Sequence, residues 1–170
     1  MAAASTLFAE RGHDVQMGEI ATLAGLGIGS LYRHFPNKRT LLTAIVQRRF
    51  TEMATLARDA EQLTDPRAAF EAVLHRYLEA AEADTAFQWA MLGSDFVDWD
   101  EAQSEKDEFA AVTSRVIARA VTAGAVRSDL CYDDFPVMTC AIMSTMYFQP
   151  SGNADWRRHL SLLLDGVYPR

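Results

Sequence analysis

The spacing of apolar residues restricts this chain more than any other feature. Leu41, Leu42, Ile45, Val46, Phe50, Met53 and Leu56 recur at intervals of three and four, and so do Phe70, Val73, Leu74, Tyr77 and Leu78. Such spacing lines one stripe of a helix, whereas the alternation of a half-buried strand is rare along the chain. The chain therefore reads as all-α, with about nine helices.

Helix-stopping residues divide the pattern. Gly12 ends a first helix over residues 3–11. A second covers 16–24, and a third covers 28–34 before Pro36. Asn37 caps a fourth that continues to about residue 62. Asp65-Pro66, as N-cap and first helical residue, opens a fifth to residue 83. A sixth spans 85–96, a loop surrounds Asp98-Trp99-Asp100, and a seventh over 102–123 ends at Gly124. The eighth, over 133–148, is broken by Pro150-Ser151-Gly152, and Asn153 caps a ninth to residue 167. The fourth helix runs across the junction of two expected domains, residues 1–48 and 49–170, and joins them rigidly.

Charge separates the same two parts. The chain of 170 residues carries a net charge of −7, which argues against a nucleic-acid partner if taken as a whole. Residues 1–50, however, set Arg11, Arg33, Lys38, Arg39, Arg48 and Arg49 against Glu10, Asp14 and Glu19, a net +3. The remainder holds ten basic and twenty acidic residues. This asymmetry marks the first part as the one suited to a polyanion.

Within that part, Gly25-Leu26-Gly27 separates the second and third helices, the arrangement of a helix-turn-helix. The third helix turns Leu31 and Phe35 inward and Ser30, Arg33 and His34 outward, and Gly29 in its first turn leaves room for another backbone. Such a helix can lie in the DNA major groove. The residues Leu7-Phe8, Gly12, Ile20-Ala21, Ala24-Gly25, Gly29-Ser30-Leu31-Tyr32-Arg33-His34-Phe35, Lys38 and Leu41-Leu42 resemble the DNA-binding head of TetR-family transcriptional regulators. The stretch from Trp156 to Gly166 is similar to the last helix of one actinobacterial-type subgroup.

The resemblance implies a homodimer that binds a palindromic operator in double-stranded DNA, with a body that takes a small-molecule effector. It puts Tyr32, His34 and Lys38 on phosphates and turns Gly29, Ser30 and Arg33 toward the groove. Arginine there can pair bidentately with guanine. Relatives often hold a phosphate with threonine at the start of the second helix. Gln16 and Met17 stand there, so the Gln16 amide or backbone N–H groups are the expected substitutes. Many relatives also carry a basic arm ahead of the first helix; the sequence given starts at Met1-Ala2-Ala3, so either the arm is absent or the start is a shortened one.

The eighth helix is apolar nearly all round, and a helix of that kind is buried on every face. An interface between two copies, made by the last two helices, is the expected cover, and burial within a single chain is the alternative. Met138, Ile142, Met146, Trp156, Leu160, Leu163 and Leu164 are its expected members. The body is also rich in aromatics. Core packing accounts for most of them, and an apolar effector pocket is expected among Phe70, Leu74, Tyr77, Phe87, Trp89, Leu92, Phe96, Phe109, Val112, Val116, Met143 and Tyr147.

No constellation for catalysis stands out. His75 and His159 lie far apart with no ligand at metal spacing, and the carboxylate pairs Asp98/Asp100 and Asp133-Asp134 are accounted for by capping and solvation. No cofactor, metal or membrane partner is expected, Cys131 and Cys140 read as reduced thiols, and the cytoplasm is the expected location. The expected function is a DNA-binding transcriptional regulator, a repressor released by a hydrophobic or aromatic effector. The alternative is a helical, dimeric interaction or sensing module without specific DNA binding.

Overall fold

A computed structural model describes residues 1–91, 97–147 and 155–169, with the side chains of His13, Thr85, Trp89 and Tyr147 outside the description. Its α-helices are α1 (Ala2–Arg11), α2 (Met17–Leu23), α3 (Ile28–His34), α4 (Lys38–Glu61), α5 (Pro66–Glu82), α6 (Thr85–Met91), α7 (Gln103–Thr122), α8 (Asp134–Tyr147) and α9 (Trp156–Val167). A short 3-10 turn over Gly12–Asp14 follows α1, a feature that helical periodicity does not reveal. The described residues contain no strand, and none of their helices is long and apolar enough to cross a membrane.

Capping chemistry sets most boundaries. The Asn37 carboxamide oxygen accepts from the Thr40 N–H at 2.9 Å and starts α4. Asp65 accepts from the Arg67 N–H at 3.0 Å, with Pro66 in the first turn of α5. The cap of α9 is Asp155, which accepts from the Arg157 N–H at 2.9 Å. The cap expected at Asn153 lies outside the described residues, and Asp155 supplies the same chemistry two positions later. Gly25 closes α2 in a Schellman motif: its N–H reaches the Thr22 carbonyl at 3.1 Å and the Leu26 N–H reaches that of Ala21 at 2.9 Å. Its φ of +66° is a backbone conformation costly to any residue with a Cβ.

α1 packs on α6 and on α2, and α2 packs on α3, while Phe8, Val15, Ile20, Leu31, Leu41 and Leu42 are all buried in a core shared with α4. The second half of α4 lies against α5 and α7, α8 packs on α5, and α9 covers α8. Phe50, in the middle of α4, meets Phe87 of α6 edge-on with ring centres 5.9 Å apart, and Phe109 of α7 at 6.1 Å. α4 thus runs through one continuous core, and no break occurs at residue 48.

Polar contacts fix α4 against its surroundings. Arg49 on α4 pairs with Glu52 at 2.7 Å and with Asp84 at the start of α6. Asp84 is 5% exposed, and its other carboxylate oxygen caps α6 by accepting from the Phe87 N–H at 3.1 Å. On another side of α4, Arg39 pairs with Asp98 at 3.2 Å, the Asp98 N–H donates to the Thr43 hydroxyl at 2.9 Å, and the Gln47 amide donates to the Glu101 carbonyl at 2.9 Å. Removing the carboxylate at Asp84 strands the half-buried Arg49 guanidinium and uncaps α6. Asp84→Ala is therefore expected to lower stability by about 3 kcal/mol in chemical denaturation, whereas removal of an exposed pair such as Arg48–Glu52 costs under about 1 kcal/mol.

Candidate nucleic-acid interface

The helix-turn-helix is built by burial of few side chains. Ile20 and Ala21 of α2 and Leu31 of α3 point into the head, and Phe35 is half-buried behind them. One full turn of α3 separates Leu31 from Phe35, so the opposite side of the helix carries Gly29, Ser30 and Arg33, all exposed. A Cβ built on Gly29 would meet nothing within 4 Å. Packing inside the protein therefore does not require glycine there, and the open space is presented outward.

Electrostatics single out one side chain of this face. Arg11 pairs with Glu19 at 3.0 Å, Arg39 with Asp98, Arg48 with Glu52, and Arg49 with both Glu52 and Asp84. Arg33 makes no ion pair or hydrogen bond among the described residues. Its five donors are thus available in a fork suited to a guanine edge or a phosphate. Tyr32 is 46% exposed and His34 is exposed beside it. Lys38 is the first residue of α4, whose opening amides add positive potential to that end of the helix.

Two expected contacts change. Met17 is 5% exposed and packs with Ile20 and Ala21, so its side chain belongs to the core of the head. The Gln16 N–H is engaged by the Glu19 carboxylate at 2.9 Å, in the return arm of a capping box, and the Gln16 side-chain amide donates to the Asp14 carbonyl at 3.3 Å. The N–H of Gln16 itself is therefore used within the head. That same bond and Arg11 beside it hold the Glu19 carboxyl below its ordinary range.

The effector residues of the body come together, but as packed core. Phe70, Leu74, Phe87 and Met143 are at most 2% exposed. Tyr77 stacks on Phe109 at 5.7 Å and meets Phe135 edge-on at 5.4 Å, and Val112 and Val116 lie buried on the same face of α7. Burial pushes the Tyr77 phenol well above its ordinary range, which keeps it neutral. A crevice bounded by Met53, Leu56, Ala57, Val73, Arg76, Tyr77 and Phe109 is too narrow to admit a water molecule. The expectation of an open pocket is corrected to a closed aromatic cluster, whose Phe135 helical spacing alone did not mark. Leu92 and Phe96 lie outside the described residues, as do the side chains of Trp89 and Tyr147.

The last two helices also differ from expectation. Ile142, Trp156, Leu160 and Leu164 are 1–6% exposed and fill the seam between α8, α9 and the body of the same chain. Met138, Met146 and Leu163 are only half-buried at its edge. The outward stripe is formed instead by Val137, 70% exposed, with Ala141 and Ser144 on α8, and by Leu162, 56% exposed, with Arg158 and Gly166 on α9. An all-round apolar pattern has no phase, so it could not say which side faces out.

Comparison with known proteins matches both halves of the chain. The family model for bacterial regulatory proteins of the tetR family covers residues 1–45, and that for the C-terminal domain of SbtR-like transcriptional regulators covers residues 65–169. The chain is 27% identical over 180 residues to the HTH-type transcriptional repressor KstR2 of Rhodococcus jostii, spanning 96% of this chain and 87% of KstR2. It is 33% identical over 97 residues to the HTH-type transcriptional activator FasR of Mycolicibacterium smegmatis, spanning 56% of this chain and less than half, 44%, of FasR. The transcriptional regulator FadR of Bacillus subtilis, solved in complex with stearoyl-CoA, shares the fold with a TM-score of 0.76 at 15% identity, over 98% of this chain and 97% of FadR. With a helix-turn-helix head and a regulator body each matched by a family model, the chain belongs to the TetR family of bacterial transcriptional regulators and is not an enzyme.

Proposed function

We propose that the chain acts in the cytoplasm as a homodimeric repressor that binds a palindromic operator and is released by a small, largely apolar effector. The observation that carries this reading is the outer face of α3. There Gly29, Ser30 and an unpaired Arg33 stand on a helix anchored by Leu31, with Tyr32, His34 and Lys38 beside them as phosphate donors. Phosphate contacts set position and affinity, and Arg33 and Ser30 supply the reading of base edges.

The dimer joins through the outward stripe of α8 and α9. Ala141, Ser144 and Gly166 let the helix backbones approach closely, and Val137 and Leu162 lose their exposed area on contact. The effector enters the aromatic cluster around Tyr77, Phe87 and Phe109. Since that cluster is closed, the effector binds a less populated open form and shifts the equilibrium by its preference for it. The stearoyl-CoA held by FadR supports an apolar effector with a long chain.

A gel-shift series with DNA from upstream of the chain's own gene tests the reading. Lys38→Ala is expected to weaken binding to every sequence and to reduce the salt slope by about one ion. Arg33→Ala is expected to relax preference among operator variants, by about 1–3 kcal/mol at one base pair. Absence of any specific shift at moderate salt contradicts operator binding. For the dimer, Val137→Glu is expected to turn a dimer into a monomer in sedimentation at micromolar concentration. A wild-type monomer removes the dimer from the account.

A further inference from the structure

A guanidinium taken partly out of water calls for an anion, and many arginines of the body have one. Arg58 pairs with Glu108, Arg67 with Glu71 at 2.9 Å, Arg115 with Glu61 at 2.7 Å and Arg157 with Glu82 at 3.1 Å. Two half-buried arginines, Arg76 and Arg119, make no ion pair among the described residues. Arg119 donates to the carbonyls of Glu61 at 2.8 Å and Leu63 at 2.9 Å, and so closes the end of α4. Arg76 on α5 makes one hydrogen bond, from Nη1 to the Leu56 carbonyl of α4 at 2.8 Å.

That bond spans the edge of the closed crevice beside the aromatic cluster. Met53, Ala57, Val73, Tyr77 and Phe109 line the crevice and are at most 4% exposed, so Leu56 and Arg76 form its half-buried rim. The stacked rings of Tyr77 and Phe109 belong both to this crevice and to the cluster. Widening the crevice parts α4 from α5 here and takes from Arg76 its one acceptor. The guanidinium then has all its donors to offer at the mouth of an apolar cleft. A carboxylate or phosphate is a stronger acceptor for it than the carbonyl it loses.

We infer that Arg76 is a specificity-determining residue of the effector site and that the effector is an anionic amphiphile. Its apolar chain enters among the aromatic rings, and its carboxylate or phosphate takes the place of the Leu56 carbonyl on Arg76. This assignment rests on the reading that an apolar effector enters the cluster, and it adds the chemistry of the effector's other end.

The test is calorimetric titration of the full chain of 170 residues with three probes of one chain length, each below its micelle-forming concentration. The probes are dodecanoate, dodecyl phosphate and 1-dodecanol. The wild-type chain is expected to bind at least one of the two anions about tenfold more tightly than the alcohol, the effect of one charge-assisted hydrogen bond. The tighter of the two tells carboxylate from phosphate. Arg76→Met keeps the apolar stem without the charge, and is expected to bind the anions and the alcohol alike; Arg76→Lys is expected to keep part of the preference. The ratio of anion to alcohol affinity within each variant separates recognition from a general loosening of the body, which would weaken all three probes together. The assignment is overturned by a wild-type chain that binds the alcohol as tightly as both anions, or by a preference undiminished in Arg76→Met. A chain that binds none of the three sinks the long-chain apolar effector itself, and this assignment with it.

Discussion

The buried carboxylate of Asp84, beside the packing of α1 on α6, ties the head to the body. It accepts from Arg49 on α4 and from the first turn of α6 at once, so a helix of the head and a helix of the body share one charged group. A carboxylate this deeply buried is stable only while its partner stays in place, since the cost of leaving it unpaired far exceeds that of bending a surface loop. The Asp98 and Glu101 contacts then hold the first half of α4 from another side. Because α4 is one uninterrupted helix, whatever fixes it also fixes the direction in which α3 is presented.

That arrangement explains how an acidic chain can address a polyanion. Several acidic groups of the body are paired with arginines that brace the helices. Glu61 is held by Arg115 and Glu82 by Arg157, which keep both carboxyls below their ordinary range. On the head, most arginines are likewise spent on internal pairs, and Arg33 remains uncommitted. Net charge therefore says little about the partner; the position of one unpaired guanidinium on an exposed helix says more.

The head was legible from the sequence because its signals are local. Gly25 has the turn chemistry of a Schellman motif, Asn37 and Asp65 are caps, and Leu31 has the inward phase of a short helix. Met17 was misplaced because a position at a helix start looks available until the tertiary core claims its side chain. The Gln16 N–H is engaged for a related reason: it is taken by Glu19, a reciprocal bond visible in the spacing of a capping box. The face of α8 was not legible, since a helix with apolar residues on nearly all sides carries no phase for its own core. α9 has a clear apolar stripe, Trp156, Leu160 and Leu164, but a stripe does not say whether it covers its own chain or a second copy. Nor can composition tell a closed aromatic cluster from an open one; Tyr77 and Phe109 stack on one another where a ligand was expected.

The central claim is that α4 holds two α3 helices of a dimer at the spacing of successive major grooves. Hydroxyl-radical footprinting of the chain on a duplex it binds measures this directly. The account predicts two protected windows on one face of the duplex, related by a dyad, with centres about one helical turn or 34–36 Å apart. A single protected window, or protection spread evenly around the duplex, would contradict it.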